Sequence, residues 1–321
     1  MPLPIEPLLG FLSDNLRKRR SVMPMSSRKA TQWAAGMNIP MGGDTVLYTG
    51  LMYQIIPSLT SAEKTTTLIE NHGMGRLLSF GWMMNRFINL SRLMPPADRE
   101  EQNRYNDYLR NIVRLLRAAG VTELGYLYGM ELYTGALVRD LGVDDVFENH
   151  AHKVHKVLEK YGVKRVITVD PHTADMLKNV YPKLITGYRL EVKSYLEVLR
   201  EKGVEPKNRF ESSVVIHDSC LYARCLDVLE QPRYLLDRAG IETREPEYSG
   251  KMTFCCGGPA ESLFPDKARD IAGRRIEQLD GEGRDIVTMC PICLHNLEKA
   301  AEGSGIAVND ISELLLQSYG D

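Results

Sequence analysis

The chain has 321 residues, 26% of them charged and 43% hydrophobic, which is the composition of an ordinary globular protein of about two domains. Its 40 Lys and Arg against 42 Asp and Glu leave a formal net charge of -2, which excludes a global basic field that would hold nucleic acid. No apolar stretch approaches the roughly 18 to 20 residues of a membrane-spanning helix, and the N-terminus lacks the pattern of a secretory leader, so we expect a cytoplasmic protein without a transmembrane segment, peripheral at most to a membrane complex.

Residues 1–40 predict an arm rather than a domain. Four consecutive basic residues, Arg17 to Arg20, are followed by Ser21 to Arg28, and together they form a basic arm. Such a run is either a solvated surface segment or an element that docks a partner protein, and the sequence pattern leaves both interpretations open.

Residues 41–205 alternate short β-branched strands with amphipathic helices. Strands are predicted near Asp44–Leu47 and Arg165–Val169, and helices over Asp107–Ala119 and His150–Tyr161. This alternation predicts a small parallel sheet that is covered by helices.

An apolar stretch, Ser79–Pro95, interrupts this pattern inside what we interpret as an insertion of the first domain. It is rich in Met and aromatic residues and carries little charge. Such a helix packs in the core or between domains, with docking of a partner subunit as the alternative.

The second domain, residues 206–321, is predicted to follow a polar linker at Lys202–Asn208. Strands near Ser213–Ile216 and Asp285–Thr288, with a helix over Ala268–Leu279, repeat the pattern of the first domain. The predicted fold class is therefore α/β, with two tandem pseudo-symmetric domains, each built on a small parallel sheet covered by helices.

All the cysteines lie in this second half, at positions 220, 225, 255, 256, 290 and 293. Without Cys225, which we interpret as a buried helix thiol, their spacing is C-x34-C-C-x33-C-x2-C. Stable disulfides are disfavoured in the cytosol, where we expect this protein, so a metal or redox site is the better interpretation of the cysteines. Zinc sites usually pair two C-x2-C knuckles, whereas the adjacent Cys255 and Cys256 suit an iron-sulfur cluster with several metal atoms. Zinc and scattered core cysteines remain the alternatives.

Three segments carry a family resemblance: His217–Cys220, Cys255–Pro259 and Cys290–Cys293. They resemble the cysteine-rich CCG domain of the B and D subunits of heterodisulfide reductase and of the iron-sulfur subunits of glycolate, lactate and anaerobic glycerol-3-phosphate oxidoreductases. The resemblance implies one [4Fe-4S] cluster, of an unusual non-cubane type, or a plain cubane held by four cysteines. Its implied ligands are Cys220, Cys255, Cys256, Cys290 and Cys293. We assign a catalytic role to Cys255 and Cys256.

His217 and Asp218 directly precede the first implied ligand. A hydrogen bond from this pair toward the cluster sulfurs would tune the reduction potential of the cluster. The alternative is a plain turn at the end of a strand, and the sequence leaves both interpretations open.

Family members carry two such domains in tandem, and a copy without cysteines is detectable in the first half. Residues 168–177 align with residues 288–297, so that C-x2-C becomes Asp170-x2-Thr173. Tyr133 and Thr134 take the places of Cys255 and Cys256, and Leu51 takes the place of Cys220. Because all the ligand positions are replaced, we expect residues 41–205 to be a degenerate, cluster-free domain.

The resemblance implies an iron-sulfur subunit of a heterodisulfide-reductase-like complex, acting on a disulfide or related sulfur substrate. The alternative is an electron-transfer subunit that relays electrons between a flavoprotein or ferredoxin-like partner and another acceptor. These residues contain no C-x2-C-x2-C-x3-C-P run for further clusters, so we expect electrons to come from another polypeptide. The expected partners are a ferredoxin-like iron-sulfur subunit and an FAD-containing subunit. Residues 1–40 resemble the linker to the ferredoxin-like module of fused relatives and are the expected docking element.

Overall fold

Two parallel four-stranded sheets form the framework of the molecule. A computed structural model describes residues 5–23, 25–69, 97–261, 263–283 and 285–320, so the apolar stretch Ser79–Pro95 lies outside the described residues. The first sheet contains β1 (Thr45–Tyr48), β2 (Gly125–Tyr126), β3 (Arg165–Thr168) and β4 (Glu191–Ser194). The second contains β5 (Ser212–His217), β6 (Ile241–Arg244), β7 (Asp285–Thr288) and β8 (Ala307–Asp310).

Helices cover both sheets. Those of the first half are α1 (Ile5–Arg19), α2 (Ser27–Thr31), α3 (Met52–Ile69), α4 (Arg99–Ala118), α5 (Ala136–Asp140), α6 (Asp144–Lys160), α7 (Pro171–Asp175), α8 (Tyr181–Leu184) and α9 (Tyr195–Lys202). Those of the second half are α10 (Glu230–Arg238), α11 (Gly258–Glu261), α12 (Pro265–Asp280), α13 (Pro291–Ala300) and α14 (Ile311–Tyr319). Over the described ranges, none of these helices is long and apolar enough to cross a membrane.

The two sheets have the same topology. Their strand orders are β2-β1-β3-β4 and β6-β5-β7-β8, and every neighbouring pair is parallel. The central strands β1, β3, β5 and β7 are rich in Val, Ile and Thr and are largely buried, as expected when helices cover both faces of a parallel sheet. The predicted fold class is confirmed.

The backbone repeats at the positions that the sequence alignment pairs. Gly135 and Gly257, which end the paired Tyr-Thr-Gly and Cys-Cys-Gly segments, both have a φ of 87° in the left-handed region that glycine adopts without strain. Helices α7 and α13 both begin at a proline, which is favoured in the first turn because its missing N–H would be unpaired there anyway.

The two halves pack against each other. One apolar core contains residues of both sheets, and the C-terminal helix α14 packs on α4 of the first half. A buried hydrogen bond of 2.8 Å runs from the Tyr53 hydroxyl to the Asp310 carboxylate. Two side chains of residues 1–40 are also fully buried, Leu16 of α1 and Trp33 directly after α2. The domain boundaries at residues 40 and 205, and the docking role of residues 1–40, stay predictions.

Candidate metal centre

The predicted ligands lie at the carboxyl ends of neighbouring strands of the second sheet. Cys220 follows β5, and Cys290 follows β7 and forms the N-cap of α13, which carries Cys293 in its first turn. Cys255 and Cys256 come from the loop before α11. Carboxyl ends of parallel strands are where open α/β sheets place their ligands.

The five thiols form a connected group. Hydrogen bonds link Cys220 to Cys255, and a chain of hydrogen bonds continues through Cys256 and Cys293 to Cys290. Three of the five, Cys256, Cys290 and Cys293, are buried, whereas Cys220 and Cys255 are partly exposed. The group therefore has a buried side and a side that reaches the surface. A catalytic role for Cys255 and Cys256 stays a prediction.

Cys225 lies outside this group, as predicted, but it is exposed, so the prediction of a buried thiol was wrong. It belongs to a π-helical turn, Tyr222–Leu226, in which Tyr222, Ala223 and Leu226 are the buried residues. The widened turn directs those three side chains inward and leaves position 225 on the outer face.

Two of the thiols are favoured as thiolates. Hydrogen bonds from the Cys220 and Cys256 thiols lower the pKa of Cys255. Burial opposes ionisation of Cys290, but hydrogen bonds from Cys293 and His172 lower its pKa as well. Hydrogen bonding to the neighbouring sulfurs raises the pKa of Cys220, Cys256 and Cys293. The group therefore favours two thiolates and three thiols, and the thiolate is the form that binds metal.

A buried cation lies beside the group. Arg275 is 1% exposed, and its Nε donates a 3.1 Å hydrogen bond to Nδ1 of His217. Burial lowers the pKa of Arg275 to about 10, so the guanidinium stays charged at neutral pH. Burial, followed by the charge of Arg275, lowers the pKa of His217 to about 3, which keeps this imidazole neutral. Arg275 is thus a fixed positive charge near the thiolates.

His217 lies near the thiol group, whereas Asp218 holds a neighbouring loop in place. A nitrogen of His217 and the sulfurs of Cys256 and Cys293 lie within 4.8 Å of one another. Asp218 accepts two hydrogen bonds from the Arg233 guanidinium, at 2.9 and 2.8 Å, and one of 2.6 Å from the Gly250 amide. Asp218 therefore holds the loop that leads to the adjacent cysteines.

The first half contributes the side chain of His172 to this centre. His172 follows Asp170 and Pro171, and its Nδ1 lies 4.0 Å from Sγ of Cys290. Burial disfavours the imidazolium, but the neighbouring Cys290 sulfur raises the pKa of His172 to about 9. In the repeat, His172 is the counterpart of Ile292, which packs against the apolar core of the first half. His172 of the first half thus reaches the thiol group of the second half, and Ile292 of the second half reaches the apolar core of the first.

The donor set fits an iron-sulfur cluster. Five thiols converge, and the buried guanidinium of Arg275 offsets their charge. Thiolates are the usual protein ligands of such clusters.

Comparison with known proteins agrees with this centre. Residues 214–298 match the family model of the cysteine-rich domain named CCG. The match lies within the second half of the chain and includes all five predicted ligand positions. This confirms the resemblance that the sequence indicated.

Three similar proteins extend the comparison beyond the CCG domain. An "EtfAB:quinone oxidoreductase" of Syntrophomonas wolfei is 31% identical over 274 residues, which cover 76% of this chain and 38% of that protein. The "Probable iron-sulfur-binding oxidoreductase FadF" of Bacillus subtilis is 31% identical over 228 residues, or 67% of this chain and 32% of that protein. One subunit of the "Dihydromethanophenazine:CoB--CoM heterodisulfide reductase" of Methanosarcina mazei is 29% identical over 199 residues, or 58% and 48%. The chain thus spans about a third to a half of the length of these relatives.

In the first half, the residues around the positions that correspond to the CCG ligands pack on and hydrogen-bond to one another. Gly50 packs so closely on Thr173 that a Cβ at residue 50 would lie 2.0 Å from Oγ1 of Thr173. The buried Glu131 carboxylate accepts hydrogen bonds from the amide and hydroxyl of Thr49 and from the Gly50 amide, the last at 3.1 Å. Leu51 is buried there with a φ of 61°, an uncommon left-handed conformation for a residue with a side chain. The strand ends of the first half therefore contact each other directly.

Sequence reasoning missed Arg275 and His172. Arg275 had a usable signal, because Ala272, Ile276 and Leu279 predict a buried helix face that also includes position 275. His172 had no local signal, since its contact with Cys290 depends on how the two halves pack.

Proposed function

We propose that this chain is an iron-sulfur subunit of an oxidoreductase and that residues 206–321 hold one [4Fe-4S] cluster. The observation that carries the proposal is the connected group of five thiols with its buried cation, Arg275. Its proposed ligands are Cys220, Cys255, Cys256, Cys290 and Cys293. A bound cluster would supply one-electron transfer.

The proposed role is electron transfer between a protein partner and a second redox carrier. Cys220 and Cys255 are partly exposed, and the neighbouring Phe254 and Met252 are 46% and 70% exposed. An exposed apolar surface beside a redox centre is suited to contact with a protein partner. A flavoprotein or a ferredoxin-like iron-sulfur subunit is the proposed partner class, and the name of the Syntrophomonas wolfei relative, which pairs EtfAB with a quinone, supports it.

We also propose that residues 41–205 bind no cluster. The close packing of Gly50 on Thr173 supports this, as do the hydrogen bonds that Glu131 accepts at the end of β1. None of Leu51, Tyr133 or Thr134 offers a thiolate.

Cleavage of a disulfide or related sulfur substrate is the second candidate function. The alignment of 58% of the chain with the heterodisulfide reductase protein of Methanosarcina mazei favours it, together with the complete five-thiol set. A disulfide would have to react beside a single centre, because the first half offers no second set of thiols.

The cluster is tested by metal analysis of anaerobically purified protein. We expect about four iron atoms and matching sulfide per chain, and either Cys255→Ser or Cys256→Ser should alter the visible and paramagnetic spectra. Cys225→Ser is the matched control, because this exposed thiol lies outside the group. About eight iron atoms per chain would contradict the single cluster, and unaltered spectra in both ligand variants would contradict the ligand assignment.

The two roles are separated by adding substrates to the iron-loaded protein. The relay role predicts that a reduced flavoprotein or ferredoxin reduces the centre and that small disulfides leave its paramagnetic spectrum unchanged. A new thiol-dependent paramagnetic species after addition of a heterodisulfide would favour the second candidate over the first.

A further inference from the structure

Arg275 is a buried cation whose hydrogen-bond partners are neutral. Among the arginines and lysines that the structure describes, it alone is buried, and it lies on the buried face of α12. Its guanidinium donates to Nδ1 of His217 at 3.1 Å, to Oε1 of Gln278 at 3.0 Å and to the hydroxyl of Thr253 at 3.4 Å. These acceptors carry no charge, so they do not offset the free energy that burial of a cation costs.

The thiol group supplies the charge that balances Arg275. Burial lowers the pKa of this guanidinium, whereas negative charge on Asp218, Cys293 and Cys256 raises it. Asp218 is already bound by two N–H groups of Arg233, at 2.9 and 2.8 Å. The sulfurs therefore provide the remaining counter-charge, and they provide it only as thiolates, the form that binds metal.

The hydrogen bond from Arg275 decides which nitrogen of His217 carries the ring proton. A guanidinium has only donors, so Nδ1 accepts and carries no proton. The proton of the neutral imidazole is then on Nε2. Nε2 is buried and makes no hydrogen bond within the part of the chain that the structure describes. A buried N–H without an acceptor is destabilising, so this donor requires an acceptor that is not a protein atom.

The imidazole lies at the border of the thiol group. His217 is the last residue of β5, three positions before Cys220. One of its nitrogens and the sulfurs of Cys256 and Cys293 lie within 4.8 Å of one another. A cluster held by these sulfurs would therefore adjoin the ring, and its sulfur atoms are the acceptors that Nε2–H lacks.

The first half shows the same position without thiols. Tyr48 corresponds to His217, because these residues end β1 and β5 and pair with Thr168 and Thr288, which are aligned in the repeat. The Tyr48 hydroxyl donates a 2.7 Å hydrogen bond to the carbonyl of Leu132. The donor at this position thus has a protein acceptor in the half without cysteines and lacks one in the half that contains them.

We propose that Arg275 is a positioning residue for the proposed cluster. Its charge balances the thiolates, and its hydrogen bond to Nδ1 orients His217 so that Nε2–H donates to a cluster sulfur. Both interactions are stronger with the reduced cluster, which carries one more negative charge, so together they raise the reduction potential. The arrangement also excludes His217 as an iron ligand, because neither ring nitrogen keeps a free lone pair. The inference rests on the proposed function and names what sets the potential of the same site.

Redox titration of the anaerobic, iron-loaded full chain tests the role of the charge. In Arg275→Gln the reduced state should be about tenfold less favoured, which for a one-electron couple is a midpoint potential about 59 mV lower. Arg275→Lys keeps the charge and should lie closer to the wild type. Arg274→Gln is the matched control, because this neighbouring arginine of α12 is exposed and its charge is screened by solvent and salt. Equal potentials of Arg275→Gln and Arg274→Gln would overturn the inference.

Pulsed electron paramagnetic resonance tests the histidine donor in a chain that carries ¹⁵N only in its histidines. We expect a weak ¹⁵N coupling to the paramagnetic cluster and a coupling to a deuteron that enters from D₂O. Both should persist in His172→Phe, which removes the histidine beside Cys290, and both should disappear in His217→Phe. A strong ¹⁵N coupling, which indicates an iron ligand, would overturn the inference, as would the absence of any coupling in His172→Phe.

Iron and sulfide are measured on every preparation. A wild-type chain without iron rejects the proposed function. A wild-type chain with iron, combined with an unchanged potential in Arg275→Gln, rejects the role of Arg275 alone. If Arg275→Gln binds no iron, the couplings in the wild-type and His172→Phe chains decide, because they do not depend on a variant of Arg275.

Discussion

Glu131 provides a quantitative test of how the first half is held together without metal. Its buried carboxylate accepts hydrogen bonds from Thr49 and Gly50 at the end of β1. Burial raises the pKa of Glu131 to about 7 from an ordinary value of 4.5. The perturbation is Glu131→Gln, which keeps the size of the side chain and removes its titration.

These two pKa values set the direction and the size of the change in the free energy of unfolding with pH. Between pH 4.5 and pH 7 the folded protein holds a proton on Glu131 that the unfolded chain has released, so the free energy of unfolding falls as the pH rises through this interval. A tenfold change in a protonation constant corresponds to about 1.4 kcal/mol. Titration of Glu131 therefore lowers the free energy of unfolding of the wild-type protein by about 2–3 kcal/mol between about pH 5 and pH 8. In Glu131→Gln, residue 131 does not titrate and so makes no pH-dependent contribution to the free energy of unfolding.

Urea unfolding monitored by circular dichroism, at several pH values from 5 to 8, measures the difference. Every other titrating group contributes equally to both proteins, so the stability of Glu131→Gln relative to wild type should rise by about 2–3 kcal/mol across this range. Glu123→Gln is the control, because Glu123 is exposed. A difference between Glu131→Gln and wild type that does not change with pH would refute the reasoning.

Three further predictions concern contacts around the centre and between the halves. Arg233→Met should lower the free energy of unfolding by about 3 kcal/mol, the low end for breaking a buried ion pair, because Asp218 keeps only its other donors; equal urea midpoints of variant and wild type would contradict this. Tyr53→Phe should cost about 1–3 kcal/mol in urea unfolding because it leaves the buried Asp310 carboxylate without this donor, and an unchanged midpoint would argue against the contact. His172→Phe should lower the midpoint potential of the cluster, because a hydrogen-bond donor to the sulfur of Cys290 is lost. A redox titration followed by electron paramagnetic resonance measures this potential. A potential equal to that of the wild type would show that this contact does not tune the cluster.

The sequence was sufficient for the fold class because the relevant signals are local. Val and Ile runs predicted the central strands, and the pairing of Asp170 with Cys290 identified the repeat. The family resemblance of the cysteine segments grouped the same five thiols that lie together in the structure, where two of these segments follow neighbouring parallel strands.

The remaining features depend on packing between distant parts of the chain. Residues 172 and 290 are 118 positions apart, and nothing local to His172 indicates that it faces a sulfur of the other half. Glu131 is similar: it lies two residues before Tyr133 in a loop without a motif of its own, and its role appears only when that loop meets the end of β1. An apolar cavity of about 320 Å³ between the two halves has the same origin, because helices from both halves form its walls.

The first half has no cysteine at the positions that correspond to the CCG ligands. Tyr133 occupies the position that corresponds to Cys255, and it now forms part of the apolar wall of the cavity. A molecule bound there would face one metal centre on one side and only side chains on the other. Cys220 and Cys255 are exposed in part, whereas Gly258 and Ile292 adjoin the cavity near the buried Cys256. Contacts with a protein partner would therefore lie on the side of the centre that Cys220 and Cys255 form.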